Sequence, residues 1–325
     1  MSYLQVVIGF VLLLGGAEFL VRGAVQISVK LGLSTLLIGM TVVAFGTSAP
    51  EFMVSLSAAL DGSSAMALGN VVGSNIANIW LILGATALLA PIVVDTRAVI
   101  RDGLMLTGAT ALFTWLCLSE SVSRFEGGLM IVFLLGYFLR SYLRERKNSV
   151  ASADLHEREA EEFQDIKMSA PMAWLGLIGG MIALAIGADQ LVTGGSEIAR
   201  GFGVSEEVIG LTLIAFGTSL PELAASGMAA WRGHTDVAIG NVIGSNLFNT
   251  LGVVGGVALI LPLDVPQQLV DFDLWVMMAA TLVILAYLAL GQRMARREGA
   301  FFLGAYGLYI AAQVVGVDKV MALIS

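Results

Sequence analysis

Cysteine, histidine and charge are all scarce in this 325-residue chain. A single cysteine, Cys117, excludes an intrachain disulfide and any thiolate metal cluster. It lies in the apolar run from Ala111 to Leu118 and reads as a small hydrophobe. The two histidines, His156 and His234, fall in polar stretches, which leaves no imidazole set for a zinc or copper site. Charged residues make up 13% of the chain, where soluble domains average roughly a quarter. With 57% hydrophobic residues and a mean hydropathy of +0.87, the solvent for most of the chain is lipid. The net charge is -8 and no basic stripe is present, which excludes nucleic acid as a partner. The first apolar segment, Tyr3 to Val21, has no basic leader and no small-residue cleavage site, so it reads as a retained spanning helix.

Apolar spans separated by polar or glycine-rich breaks fall near 3–22, 32–60, 64–90, 98–118, 124–143, 171–193, 203–231, 236–262, 271–291 and 299–316. The expected fold is an all-α polytopic membrane protein with ten transmembrane helices. Residues 144–170 form a charged linker, too short for a folded domain of its own. The second and seventh spans exceed one bilayer crossing, and each contains Gly-Thr-Ser followed by proline, so each is expected to break midway.

A repeat fixes the architecture further. Gly39 to Glu51, GMTVVAFGTSAPE, recurs as Gly210 to Glu222, GLTLIAFGTSLPE, and Gly69 to Asn78, GNVVGSNIAN, recurs as Gly240 to Asn249, GNVIGSNLFN. Both pairs share one offset, the distance from Glu51 to Glu222, and the same offset relates Glu18 to Asp189, Gly23 to Gly194, and Pro91 to Pro262. Five spans separate equivalent positions, an odd number, so residues 1–143 and 171–325 are expected to be inverted copies of one five-helix unit. Interrupted helices in inverted repeats are a recurring plan of secondary transporters. Of seventeen Lys and Arg residues, only Arg124, Arg200 and Lys319 fall on the side carrying the termini. By the positive-inside rule both termini are expected outside and the linker in the cytoplasm.

Glu51 and Glu222 lie within apolar spans, where an ionised carboxylate costs several kcal/mol unless a cation or another group compensates it. No Lys or Arg stands near either in its span. Pro50 and Pro221 lack an N–H, so the carbonyls four residues back, and neighbours such as those of Ala44, Thr47, Ala215 and Thr218, are expected to turn toward a cavity. Thr47, Ser48, Thr218 and Ser219 add hydroxyls. Ser74 and Asn78 share one face of the third helix at i,i+4 spacing, and Ser245 and Asn249 repeat them on the eighth. Every candidate ligand is an oxygen, the chemistry that calcium and sodium favour. Gly69 and Gly73, with Gly240 and Gly244, form small-xxx-small patterns that admit a close neighbouring backbone.

At GTSAPE with GSNIAN and GTSLPE with GSNLFN the sequence resembles the sodium/calcium exchangers and the wider calcium/cation antiporter superfamily, in a bacterial-type form. The resemblance covers nearly the whole chain. It implies a calcium site held by Glu51, Glu222 and the carbonyls of Thr47 and Thr218, and sodium sites using Ala44, Ser48, Ser74, Ala215, Ser219 and Ser245. It also implies that the first and sixth helices slide to alternate access, no organic cofactor, a prokaryotic inner-membrane location, and Ca2+ with Na+ or H+ as transported partners. Some members carry an acid where this chain has Asn249, so this chain has two signature carboxylates rather than three. A Ca2+/H+ exchanger is therefore the alternative reading. A passive cation channel and an intramembrane acid–base enzyme are weaker rivals, the latter because no Ser/His or metal-ligating His set supports it. Glu18 and Asp189 form a further acidic pair, readable as a cation attractor at an ion entrance or as solvated carboxylates.

Overall fold

The computed structural model describes residues 1–92, 96–148, 168–204, 215–289, 294–317 and 319. Residues 149–167 of the expected linker and 205–214 of the seventh span, with Gly210 to Ile214 of the second motif, lie outside the described residues. Apolar runs become helices throughout: α1 Ser2–Leu31, α2 Thr35–Thr47, α3 Ala49–Leu60, α4 Ser64–Leu89, α5 Thr96–Cys117 and α6 Arg124–Asn148. They continue as α7 Ala170–Gly201, α8 Leu220–Trp231, α9 Thr235–Ile260, α10 Leu269–Tyr287 and α11 Arg296–Val315. One short turn, Ala215–Gly217, precedes α8. Strands β1 Ser121–Val122 and β2 Leu263–Asp264 pair antiparallel in a two-residue ladder. Among the described residues, seven helices are long and apolar enough to cross a bilayer, or eight if α2 and α3, bent by 42°, count as one span.

Several helices outrun their hydropathy. The run 3–22 belongs to the 30-residue α1, and 171–193 to the 32-residue α7. At 1.5 Å per residue these are about 45 and 48 Å long, against a hydrocarbon core of about 30 Å. Hydropathy marks the lipid-facing stretch, whereas a helix ends where its last carbonyls find donors. In α1 this happens at Gly32, whose left-handed backbone (φ 63°) lets its N–H reach the carbonyls of Ser28 and Val29. Helix α6 likewise runs on through Asn148 into the stretch expected as linker, because Arg144, Glu145, Arg146 and Lys147 are good helix formers and cations suit a helix C-terminus.

The described chain divides into two compact units, Met1–Pro50 with Leu135–Ser245, and Glu51–Leu134 with Asn246–Ser325. In the first unit α1 packs along α7 in antiparallel sense: Gly9 meets Gly187, Gly16 meets Gly180, and Gly23 meets Ala173. The contacts recur at heptad spacing, that of a coiled-coil seam, with glycine at the positions of closest approach. In the second unit α5 packs on α10 and α4 on α11. Gly84 touches Gly299 and Gly127 touches Gly255, so backbones again meet at glycines. The winding also repeats: π-helical turns at Ala77–Ile82 in α4 and Phe248–Val253 in α9 stand at the offset that relates Glu51 to Glu222.

A Cβ on Gly180 would lie 2.6 Å from the Gly16 carbonyl oxygen and the Leu20 nitrogen, whereas one on neighbouring Gly179 meets no described atom within 4 Å. Gly180→Val is therefore expected to destabilise the α1–α7 seam by about 1–3 kcal/mol, the usual cost of overpacking. Gly179→Val should be near neutral. Melting temperatures of the two purified variants in detergent check the contrast.

Candidate cation site

In the first unit the helix breaks at Ser48, whose backbone (φ −85°, ψ 5°) separates α2 from α3. Pro50 therefore occupies the first turn of α3, where its missing N–H costs nothing. The expected release of the Ala44 carbonyl is not what occurs: that oxygen accepts from the Ser48 N–H at 3.0 Å and from Thr47 Oγ1 at 3.3 Å. The second copy breaks at the matching residue, Ser219 (φ −87°, ψ 1°), ahead of α8. Glu51 and Glu222 thus each sit in the first turn of a half-helix, where the backbone N–H groups and the helix dipole favour negative charge. This compensation adds to whatever a cation supplies.

Glu222 is 1% exposed, and its Oε1 accepts from Ser48 Oγ at 3.0 Å. Thr47 Oγ1 lies 3.2 Å from Asn241 Oδ1 and 3.4 Å from Ser245 Oγ. The first unit therefore gathers Thr47, Ser48, Glu222 and Ser245 from α2, α8 and α9. Gly240 and Gly244 make this possible, since a Cβ on Gly240 would come within 2.5 Å of the Leu36 carbonyl oxygen and one on Gly244 would collide with that of Met40. At Gly69 and Gly73, by contrast, no described atom lies within 4 Å of such a Cβ. Thr218 is half-buried, Ala44 is buried, and of Ala215 only the backbone, in its short turn, is described.

The second unit holds Glu51, also 1% exposed, with buried Ser74, Asn78 and Asn249. Asn78 Nδ2 donates to Asn246 Oδ1 at 3.1 Å, and Asn75 Nδ2 to Thr250 Oγ1 at 2.8 Å, so three asparagines join α4 to α9 where these helices carry their π turns. Such turns are frequent at functional sites. Among the described residues, Asn78 Oδ1, both amide atoms of Asn249, Glu222 Oε2, Thr218 Oγ1 and Ser219 Oγ are buried atoms with no hydrogen-bond partner. Buried polar atoms are rarely left so, and most of these are oxygens able to face a hard cation. Among the described residues no group of three or more His, Cys, Asp or Glu suits a metal ion, so any cation here rests on carboxylate with neutral oxygens.

Two residues missed in the sequence complete the pattern. Asn70 Nδ2 donates to the Glu51 carbonyl at 3.3 Å and to Ser55 Oγ at 3.0 Å. Asn241 Nδ2 donates to the Glu222 carbonyl at 3.5 Å and to Ser226 Oγ at 2.9 Å. Donor and acceptors all shift by the offset of the repeat, so the same side-chain bracket holds each glutamate's helix turn. Their signal was present in the repeated Gly-Asn of both motifs. Glu18, in contrast, is not an open attractor: Arg22 and Arg232 both pair with it, Arg232 through Nε at 2.8 Å and a terminal guanidinium nitrogen at 2.6 Å. Asp189 accepts from Gln190 Nε2 at 3.3 Å.

Buried carboxylates at the starts of broken apolar helices suit an integral membrane transport protein rather than an enzyme. The chain matches the family described as "Sodium/calcium exchanger protein" over residues 1–143 and 172–315, and it belongs to that family as a member of the bacterial and archaeal type. It is 42% identical over 307 residues to the protein CaxA of Alkalimonas amylolytica, covering 93% of this chain and 95% of that one. To the sodium/calcium exchanger MaX1 of Methanosarcina acetivorans it is 31% identical, covering 95% and 97%. The solved structure of the sodium-calcium exchanger NCX_Mj, soaked with zero Na+ and Ca2+, is similar with a TM-score of 0.82 at 28% identity, over 95% of this chain and 98% of that one.

Asn241→Ala removes three hydrogen bonds, those to Thr47, Ser226 and the Glu222 carbonyl, each worth about 1 kcal/mol. Its expected effect is a rise of roughly tenfold or more in the KM for Ca2+ transport, while Asn241→Gln retains part of the function. Initial 45Ca2+ fluxes against Ca2+ concentration measure it.

Proposed function

We propose that this protein exchanges Ca2+ for Na+ across the membrane by alternating access, with Glu51 and Glu222 as the carboxylate ligands of the transported cation. The observation that carries the proposal is that both glutamates are buried at half-helix starts inside the signature motifs. The carbonyls of Thr47 and Thr218 complete the calcium ligands. Ser48, Ser219, Ser74, Ser245, Ala44 and Ala215 supply oxygens for sodium, and Asn78 and Asn249 are further oxygen ligands of the site. One set of oxygens serving both ions makes exchange obligatory, because the carrier crosses with one or the other.

Ten crossings in two inverted five-helix copies, 1–143 and 171–325, are the architecture that fits this transport cycle, with both termini outside and the linker in the cytoplasm. The antiparallel seam of α1 with α7, equivalent helices of the two copies, supports the inversion. Close backbone approach at the seam's glycines suits the sliding that alternating access requires. A second reading, exchange against H+, is favoured by one observation: Asn249, buried and without a charge, stands where a third acid would balance extra sodium ions.

Proteoliposomes loaded with Na+ are expected to take up 45Ca2+, and those without a trans cation gradient to take up none. Uptake driven by a proton gradient alone would establish the second reading, and uptake without any counter-ion would establish a channel. In the Na+ case Asn249→Asp is expected to change the number of Na+ ions coupled to each Ca2+, read from the dependence of flux on the Na+ gradient.

A further inference from the structure

Beyond the signature motifs the repeat holds one more pair of buried acids, Asp102 on α5 and Asp273 on α10, related by the same offset as Glu51 and Glu222. Their surroundings differ in charge. Asp102 is held by the guanidinium of Arg101, with nitrogen–oxygen distances of 2.6 and 2.8 Å. At the position matching Arg101 the second copy has Phe272, and Arg97 is matched by Gln268. Asp273, 4% exposed, accepts from Tyr309 Oη at 3.0 Å, Gln313 Nε2 at 2.5 Å and Gln268 Nε2 at 3.2 Å. All three donors are neutral. They orient the carboxylate without bringing a charge to balance it, and a buried acid with no counter-charge is costly.

The same side chains line a half-open cavity of about 230 Å3, together with Gly69 and Pro266, and none of the described lining residues is basic. At about 30 Å3 per water molecule it has room for an ion with several waters. The first turn of α10, Leu269–Asp273, is wound as a π-helix that ends at the acid, a form of winding common at functional sites. One turn on, Met277 receives Asn75 Nδ2 from the asparagine cluster. A single carboxylate with amide carbonyls and a phenol oxygen offers hard ligands with one negative charge, which suits a monovalent ion better than a divalent one.

We propose that Asp273, with the side-chain oxygens of Gln268, Gln313 and Tyr309, binds a small alkali cation, Na+, in this cavity. The charge asymmetry between the two copies makes the site one-sided: arginine fills the cation's role at Asp102 and leaves it open at Asp273. Under the Na+-coupled reading of transport, Asp273 supplies the third carboxylate that Asn249 withholds from the signature motifs. Binding itself does not depend on that reading.

The test is equilibrium 22Na+ binding to the purified full-length Glu51→Gln/Glu222→Gln variant, in which the signature carboxylates are neutral. One residual Na+ site is expected. Asp273→Asn should weaken it by roughly tenfold or more, the equivalent of about 1.4 kcal/mol. Gln268→Arg, which copies Arg97 at an exposed position and brings a fixed positive charge, should do the same and decides the matter if Asp273→Asn fails to fold. Asp102→Asn should leave the residual site intact. Absence of residual Na+ binding, or binding unchanged by Gln268→Arg, overturns the proposal. Proton-driven Ca2+ uptake in the native chain together with residual Na+ binding would instead retain this site and remove only the Na+-coupled reading.

Discussion

The cost of an ionised carboxylate in an apolar surrounding is the constraint on which this structure turns. Glu51 and Glu222 are each 1% exposed in a chain with 13% charged residues. Nothing about helix packing alone would place an acid there. What makes the burial tolerable is a series of local devices: a break at Ser48 or Ser219, proline in the turn that follows, and a half-helix whose N–H groups face the acid. At Glu222 the Ser48 hydroxyl adds a hydrogen bond. These devices reduce the penalty without cancelling a full charge.

The rest of the fold keeps those turns in place. Asn70 and Asn241 bind the turns through identical brackets, and the glycines of α9 press its backbone onto α2. The α1–α7 seam is different in kind. At Gly9, Gly16 and Gly23 it brings the two backbones close, at heptad spacing along both helices. The brackets hold the turns that carry the acids, while the seam joins two long helices at their glycines.

Much of this was legible in the sequence because the repeat is nearly gapless. The motif offset located both buried glutamates and both helix breaks without any coordinates. Helix ends were less legible: α1 runs to Leu31 and α7 to Gly201 because capping geometry, not hydropathy, terminates them. The direction of the proline effect was also misjudged. Pro50 lies after the break rather than within a continuous helix, so the Ala44 carbonyl retains hydrogen-bond donors. Asn70, Asn241 and the pair Asp102 and Asp273 were visible at the same offset, but their significance lies in which side chains surround them, and sequence spacing does not carry that. Glu18 is the converse case, an acid whose charge is met by Arg232 from 214 positions away.

The most direct measurement is equilibrium 45Ca2+ binding to the purified protein and to its Glu51→Gln and Glu222→Gln variants, with Na+ as competitor. If the two buried carboxylates hold the transported cation, each substitution abolishes saturable Ca2+ binding while the variant elutes as a folded species, and Na+ displaces Ca2+ competitively from the native protein. Native-like Ca2+ affinity in either folded variant would contradict the account.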